Sequence, residues 1–271
     1  MLTALTSAGA TGLTALRADP RRAVIALDYD GTLAPIVTDP AAALPAPGAV
    51  AALRALATQV GTLALVTGRP ADVVVALAGL QDVPGLQVLG QYGAQRWSAG
   101  TLTGAAPLPG VARARAVLSG LLGPEGAALE DKGLSLVVHT RTARDPYGAL
   151  ARLEAPVRTV AEQFGLEVHP GRLVLELRPP GFDKGAALRS LCMAGPGGVL
   201  SGAPSAVLFA GDDVGDLPAY DTVEELRAAG VPGLLVCSGS DEGPAALRAR
   251  ADLVVDGPPG VVALLRQLLP G

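Results

Sequence analysis

Two carboxylates stand at the end of a short apolar run near the start of the chain. Asp28 and Asp30 follow the apolar residues 23–27, and Gly31 permits a sharp bend directly after them. Such a run predicts a buried strand, and open α/β sheets bind ligands at the carboxyl ends of their strands. Two like charges so close favour a hard cation such as Mg²⁺ between them. One aspartate could then attack phosphorus as a nucleophile, and the other could donate and accept protons. A strand that merely ends in an Asp-rich turn explains the same residues without any chemistry.

A second strand end offers a hydroxyl group instead of carboxylates. The apolar residues 63–66 lead into Thr67-Gly68-Arg69-Pro70, and a helix is expected to follow. A hydroxyl group and backbone N–H groups at the start of a helix can hold phosphate oxygens. Taken alone, Thr67 is explained as well or better as a simple helix cap.

Two later segments carry charges in comparable places. Lys184 stands at the start of a predicted helix, where an ammonium group is unfavourable to the helix dipole and favours a nearby anion. A buried strand over 206–210 leads into Asp212, Asp213 and Asp216. If a helix begins promptly after that strand, Asp212 and Asp216 lie one turn apart.

The composition excludes several classes of protein. The chain has 271 residues, 49% of them apolar, and a net charge of −4, so no basic patch predicts a nucleic-acid partner. No secretory signal is evident, and Gly and Pro interrupt the uncharged tract over 190–211, so no membrane span is predicted. The two cysteines have no metal-binding or disulfide spacing, which favours a reducing cytoplasm. We therefore expect a cytoplasmic protein.

The middle of the chain departs from the pattern of a parallel sheet. From about residue 104 the sequence predicts an α-β-α-β-β block, which resembles a small domain inserted into a larger one. The two histidines of the block, His139 and His169, are expected to be structural or surface residues. Its other long polar side chains could hydrogen-bond a polyhydroxylated ligand or form surface salt bridges. These are Glu130, Lys132, Arg141, Glu176 and Arg178.

Together the segments resemble the motifs of the haloacid dehalogenase-like (HAD) hydrolase superfamily, and more closely those of the trehalose-6-phosphate phosphatase family. The resemblance is carried by LDYDGTLAPI at 27–36, LVTGRP at 65–70, LEDKGLSLVVHTR at 129–141, LELRPPGFDKGAAL at 175–188 and FAGDDVGD at 209–216. It implies an α/β fold with a HAD-like Rossmannoid core and a parallel sheet, formed by 1–104 and 182–271. It also implies an inserted smaller α/β cap domain over 105–181 that determines substrate specificity.

The resemblance implies a role for each matched residue. Asp28 is the nucleophile that forms an aspartyl-phosphate, and Asp30 is the acid and base. Thr67 and Lys184 hold the transferring phosphoryl oxygens. The residues that bind the substrate are Gly68, Arg69, Glu130, Lys132, Arg141, Glu176 and Arg178. The Mg²⁺ ligands are the Asp28 carboxylate, the Asp30 backbone carbonyl and Asp212, with Asp213 and Asp216 as further candidates.

The chain departs from the family pattern in two motifs. Tyr92 stands where the family usually has histidine, so it is assigned no catalytic role. Gly215 and Leu217 replace the residues expected on either side of Asp216. This departure bears on the predicted outer metal ligands and the predicted substrate more than on the predicted reaction class.

The function expected from the resemblance is Mg²⁺-dependent hydrolysis of trehalose 6-phosphate to trehalose and phosphate. A functional link to a trehalose-6-phosphate synthase would accompany it. One alternative is a HAD phosphatase for another sugar phosphate, such as sucrose 6-phosphate or mannosyl-3-phosphoglycerate. A second alternative is a non-catalytic regulatory domain that binds a sugar phosphate.

Overall fold

Strands and helices alternate along most of the chain. The computed structural model describes residues 4–171, 173–193, 202–239 and 243–268. The strands are β1 (Val24–Leu27), β2 (Thr62–Val66), β3 (Leu86–Gly90), β4 (Gln95–Ser98), β5 (Thr101–Gly104), β6 (Ala128–Asp131), β7 (Leu136–His139), β8 (Glu167–Gly171), β9 (Val174–Arg178), β10 (Val207–Gly211), β11 (Gly233–Gly239) and β12 (Leu253–Asp256). The α-helices are α1 (Ser7–Ala18), α2 (Ala49–Ala57), α3 (Ala71–Ala78), α4 (Pro109–Leu122), α5 (Pro146–Gln163), α6 (Lys184–Cys192), α7 (Leu217–Ala228), α8 (Ala245–Arg250) and α9 (Gly257–Leu268).

Contacts between residues divide the chain into two units. The core unit consists of Met1–Thr103 and Asp183–Gly271, and the inserted unit consists of Gly104–Phe182. None of the helices in the described part of the chain combines the length and the apolar character that a membrane-spanning segment requires.

The sheet of the core unit has the strand order β12-β11-β10-β1-β2-β3-β4-β5. The six strands from β12 to β3 are parallel, whereas β4 is antiparallel to β3. Strand β1 lies between β10 and β2. The carboxyl ends of these three parallel strands therefore meet at one edge of the sheet, where ligands of open α/β folds bind.

Helices cover both faces of this sheet. Ile25 and Leu27 of β1 belong to one apolar core, and Val24 and Ala26 belong to the other, because successive side chains of a strand point to opposite faces. The first core includes residues of α1, α2, α3 and α9, and the second includes residues of α6, α7 and α8. Burial on both faces explains why the strand sequences are apolar runs rather than alternating patterns.

The inserted unit contains an antiparallel sheet with the strand order β6-β7-β9-β8. One face of the sheet is apolar: Leu136, Val138, Leu175 and Leu177 belong to a third core together with residues of α4 and α5. The intervening residues of the strands point to the other face, which is mainly polar.

The structure confirms the predicted α/β class with a parallel sheet, but it adds three strands. Strands β4, β5 and β6 were not predicted. Residues of β5 are all exposed, and those of β6 are exposed or half-buried at the edge of the small sheet. Strands without a buried face lack the apolar pattern on which the prediction depends. The inserted unit is therefore α-β-β-α-β-β rather than α-β-α-β-β.

Substituting Gly12 by alanine should destabilise the core unit. A Cβ atom on Gly12 of α1 would overlap the carbonyl oxygen of Gly233 in β11. We expect Gly12→Ala to lower the free energy of unfolding by about 1–3 kcal/mol, as overpacking does, although alanine is the better helix former. Urea denaturation measures the change.

Gly120 of α4 provides a matched control for that substitution. No atom lies within 4 Å of the position that a Cβ on Gly120 would take. Gly120→Ala should therefore raise the free energy of unfolding by up to about 1 kcal/mol. Equal effects of the two substitutions would contradict the close approach of α1 to β11.

Candidate active site

The backbone after β1 places Asp28 at the carboxyl edge of the large sheet. Its N–H group donates to the Ala210 carbonyl oxygen at 2.9 Å, so the parallel ladder continues one residue past the strand. Gly31 has a positive φ of 74°, and a Cβ atom there would overlap the Asp212 carboxylate. Glycine is therefore required for both the bend and the close approach of Asp212.

The three aspartates after β10 have different surroundings. Asp216 is fully buried, and its Oδ2 accepts hydrogen bonds from the N–H groups of Asp212 at 2.9 Å and Asp213 at 3.1 Å. Asp213 is exposed, and its Oδ1 accepts from the Gly215 N–H group at 2.7 Å. The turn that joins β10 to α7 is a 3-10 turn over Val214–Asp216. Asp213 and Asp216 therefore shape the turn that carries Asp212.

Lys184 is the first residue of α6, and its ammonium group joins two of the carboxylates. Its Nζ lies 2.8 Å from Asp28 Oδ2 and 2.7 Å from Asp216 Oδ1, and all three side chains are buried. The Asp183 side chain accepts a hydrogen bond from the Ala186 N–H group at 2.7 Å, which caps the helix and fixes where it begins. The expectation that a helix-opening lysine faces an anion is confirmed by these two ion pairs.

Burial and mutual repulsion raise the pKa of the carboxyl groups. Burial raises the pKa of Asp28 well above its ordinary value, Lys184 opposes the shift, and Asp216 and Asp212 add to it. Burial followed by the charges of Asp216 and Asp213 raises the pKa of Asp212 to about 8. Burial lowers the pKa of Lys184, but Asp216 and Asp28 more than offset this and raise it well above its ordinary value. The cluster therefore has more negative charge than Lys184 balances.

The donor set fits a divalent cation. Asp28, Asp212 and Asp216 each offer a carboxylate oxygen, and these three oxygens lie within 4.8 Å of one another. Hard divalent cations prefer such oxygen ligands, and their charge would relieve the repulsion within the cluster. The carboxylates of Asp30 and Asp213, which were also predicted to lie near a metal, are not members of this group.

Thr67 and Gly68 follow β2, beside the turn that carries Asp28. Thr67 is buried, its N–H group donates to the Leu89 carbonyl oxygen at 3.0 Å, and its Oγ1 accepts from the Arg69 N–H group at 3.2 Å. The hydroxyl oxygen therefore stabilises the turn before α3. Thr67 is not the helix cap of the alternative interpretation, because the N-cap residue of α3 is Pro70 and no side chain caps this helix. A Cβ atom on Gly68 would lie 2.7 Å from the Tyr92 hydroxyl oxygen, so Tyr92 packs directly over this turn.

Arg69 binds Asp30 through two parallel hydrogen bonds. Its Nε donates to Asp30 Oδ2 and its Nη2 to Asp30 Oδ1, both at 2.7 Å. A third nitrogen, Nη1, donates to the Pro40 carbonyl oxygen at 2.7 Å. The side chain of Asp30 remains 37% exposed. The guanidinium group thus fixes the orientation of a carboxylate that solvent can reach.

Sequence reasoning missed the buried hydroxyl of Ser238, which supports the site. Ser238 lies near the end of β11, is 1% exposed, and donates from Oγ to the Gly31 carbonyl oxygen at 2.7 Å. The hydrogen bond ties the turn after β1 to a strand two places away in the sheet. The only local signal is a polar residue at the end of an apolar strand, the same signal that identified Thr67.

The polar residues predicted in the middle of the chain lie on the inserted unit. Lys132 Nζ lies 3.3 Å from Glu176 Oε1, which also accepts from the Ser135 hydroxyl group at 3.1 Å. This ion pair joins β9 to the residue after β6. Glu130 contacts His139, and Arg178 contacts His169. Arg141 is exposed and follows β7.

Comparison with known proteins identifies the family. The model of the trehalose-phosphatase family matches residues 26–252, which is most of the chain. The chain belongs to the trehalose-phosphatase family. A trehalose-phosphate phosphatase of Mycobacterium tuberculosis is 37% identical over 261 residues, and one of Mycobacterium marinum is 39% identical over 212 residues. The alignments cover 92% and 75% of this chain.

The chain is shorter than those relatives. It spans 62% of the length of the M. tuberculosis protein and 52% of the M. marinum protein.

Solved structures show the fold of the family. A Candida albicans trehalose-6-phosphate phosphatase C-terminal domain has a TM-score of 0.79 and 21% identity, with 98% of both chains covered. The C-terminal domain of a C. albicans trehalose synthase regulatory protein has a TM-score of 0.67 and 14% identity, with 91% of this chain and 93% of that chain covered. A haloacid dehalogenase-like hydrolase from Bacteroides thetaiotaomicron has a TM-score of 0.64 and 18% identity, with 90% of this chain and 98% of that chain covered. These similarities confirm the expected HAD-like fold.

Replacing Asp212 by asparagine should stabilise the metal-free protein, and more so at high pH. Because the pKa of Asp212 is raised to about 8 on folding, its contribution to stability is present at low pH and is lost as the pH rises through 8. Asparagine does not ionise. The melting temperature of Asp212→Asn should therefore exceed that of the wild type by more at pH 9 than at pH 6, as measured by differential scanning calorimetry in EDTA.

Asp82→Asn, at an exposed turn residue, is the control and should not show this pH dependence. Adding MgCl₂ at pH 9 should raise the melting temperature of the wild type and leave that of Asp212→Asn nearly unchanged. A difference between Asp212→Asn and wild type that stays constant from pH 6 to pH 9 would contradict the electrostatic description of the cluster.

Proposed function

We propose that this chain hydrolyses trehalose 6-phosphate to trehalose and phosphate, with Mg²⁺ as its cofactor. The observation that carries the proposal is the buried ammonium group of Lys184, which lies between Asp28 and Asp216 beside Asp212. A phosphate dianion can approach an aspartate nucleophile only where cations neutralise the site, and this cluster combines a fixed cation with a donor set for a second one. Family membership names the substrate class.

Asp28 would be the nucleophile. Its carboxylate lies at the end of β1, and the Lys184 ammonium group fixes the position of Oδ2. Attack on phosphorus would form an aspartyl-phosphate and release the sugar oxygen, and water would then hydrolyse that intermediate. Lys184 and the Thr67 hydroxyl group would hold the phosphoryl oxygens during both steps.

Asp30 would supply and remove the proton. It would protonate the leaving sugar oxygen in the first step and deprotonate the attacking water in the second. The bidentate contact with Arg69 keeps the Asp30 carboxylate in one orientation while more than a third of its side chain remains exposed. Arg69 and Gly68 were predicted to bind the substrate directly, and this remains a proposal alongside the contact with Asp30.

Asp28, Asp212 and Asp216 would hold the metal ion. When bound, the ion would neutralise the phosphate and favour the charge that develops during phosphoryl transfer. The Asp30 backbone carbonyl and the Asp213 carboxylate remain proposed as further ligands. Asp213 is engaged in the turn before α7, which favours a supporting role for it.

The polar sheet face of the inserted unit would bind the sugar. Lys132 and Glu176 form an ion pair on this face, while Glu130 and Arg178 each contact a histidine. Together with the exposed Arg141, these side chains offer both donors and acceptors, as the hydroxyl groups of a disaccharide require. In the same proposal, residues 105–181 form a cap domain that determines substrate specificity. The protein would act in the cytoplasm and would have a functional link to a trehalose-6-phosphate synthase.

The proposal predicts which substrate is preferred. Phosphate release from trehalose 6-phosphate should exceed release from sucrose 6-phosphate and mannosyl-3-phosphoglycerate in MgCl₂ and should cease in EDTA. Asp28→Asn should reduce turnover by at least about 10³-fold, as loss of a nucleophile does, while Asp82→Asn keeps wild-type activity.

Two other outcomes of the phosphate-release assay would each contradict part of the proposal. Metal-dependent turnover that favours another sugar phosphate would retain the Asp28 chemistry and contradict the substrate. Absence of turnover with every substrate, for a folded protein that binds Mg²⁺, would contradict the enzyme and favour the non-catalytic domain.

Asp30→Asn should separate the two chemical steps. Nitrophenolate leaves without a proton, so p-nitrophenyl phosphate should phosphorylate this variant and release a burst of nitrophenolate close to one per protein. Water attack lacks its base, so steady turnover should fall by about 10²–10⁴-fold. Stopped-flow absorbance measures both phases, and a wild-type steady rate or the lack of a burst would contradict the role of Asp30.

A further inference from the structure

The polar face of the inserted unit carries two histidines that the mechanism does not use. His139 Nε2 lies 2.8 Å from Glu130 Oε2, and His169 Nδ1 lies 2.8 Å from Arg178 Nη2. In the strand register Glu130 faces Val137 and His169 faces Glu176. Each histidine therefore contacts a charged residue diagonally across two neighbouring strands.

The two histidines have opposite hydrogen-bonding roles. A carboxylate only accepts hydrogen bonds, so His139 must donate from Nε2 to Glu130. A guanidinium group only donates, so His169 Nδ1 must accept from Arg178 and carry no proton. One imidazole thus orients an anion, and the other orients a cation, on the same sheet face.

The surroundings of His169 favour the neutral imidazole that its role requires. Burial and the Arg178 guanidinium group lower the pKa of His169, while Glu167 on its own strand and Glu176 on β9 oppose the shift. His169 Nε2 lies 3.4 Å from Glu167 Oε2. At neutral pH the Nδ1 lone pair is therefore available to Arg178. Protonation would replace this hydrogen bond with two facing cations.

We propose that His139 and His169 are positioning residues that hold Glu130 and Arg178 in the orientations that bind the sugar of the substrate. This inference rests on the proposed function, in which the two charged side chains contact the sugar. Glutamate and arginine side chains have many rotamers, and fixing them before binding lowers the entropy that binding costs. The backbone of neighbouring strands sets the position of each imidazole, so the orientation is built into the sheet.

Matched substitutions test the inference. His139→Leu and His169→Leu remove the hydrogen bonds, whereas His139→Gln keeps a donor near the Nε2 position and His169→Asn keeps an acceptor near the Nδ1 position. The measurement is kcat and KM for trehalose 6-phosphate, and kcat/KM for p-nitrophenyl phosphate, which has no sugar. In the leucine variants the preference for trehalose 6-phosphate should fall about tenfold, through KM rather than kcat, and the Gln and Asn variants should recover most of it.

The pH dependence distinguishes positioning by His169 from a purely structural role. In the wild type, KM for trehalose 6-phosphate should rise as the pH falls below the ordinary histidine pKa of 6.5 and His169 becomes protonated. In His169→Asn this rise should be smaller, because asparagine does not titrate.

Three results would overturn the inference. The first is a wild-type preference for trehalose 6-phosphate that the leucine variants retain, which leaves the proposed function intact. The second is an equal loss with both substrates and a lowered melting temperature, which assigns the histidines to folding alone. A wild type that shows no preference for trehalose 6-phosphate would contradict the inference and the proposed function together.

Discussion

The candidate site depends on one buried ammonium group. Lys184 forms ion pairs with Asp28 and Asp216 in a region from which solvent is largely excluded. Burying charges is costly, and removing one partner of such a pair leaves an uncompensated charge, so the three residues constrain one another strongly. The helix α6 must begin where it does, and the turn before α7 must have its observed shape, for these pairs to form. Because the carboxylates carry more negative charge than Lys184 balances, the cluster favours the binding of a divalent cation.

The parallel sheet explains how residues far apart in sequence meet. Strand β1 lies between β10 and β2, so Asp28, Asp212 and Thr67 are at neighbouring strand ends although they are separated by tens of residues or more. Ser238 adds a fourth strand to this set through the Gly31 carbonyl group. The inserted unit uses a different design, in which an antiparallel sheet has one apolar face and one polar face. The large sheet thus provides charged groups at its strand ends, and the small sheet provides polar groups across one face.

The sequence predicts features that local patterns encode. Apolar runs identified β1, β2, β3 and β10, and the charges directly after β1 and β10 identified Asp28 and Asp212 as strand-end residues. Strand β6 and the partners of Glu130 and Arg178 were missed, because they depend on strand register and on exposed edges that leave no apolar pattern. The contact between Arg69 and Asp30 was missed for a related reason, since residue type alone does not show which anion an arginine binds.

In the proposed mechanism Asp28 becomes phosphorylated during turnover. The most direct measurement is mass spectrometry of the Asp30→Asn protein, quenched in acid shortly after mixing with p-nitrophenyl phosphate, whose leaving group needs no proton, and MgCl₂. We expect one added phosphoryl group, located on Asp28, that is absent when Asp28 is also replaced by asparagine. Phosphorylation of another residue, or phosphate release from a protein that never carries a phosphoryl group, would contradict the proposed mechanism.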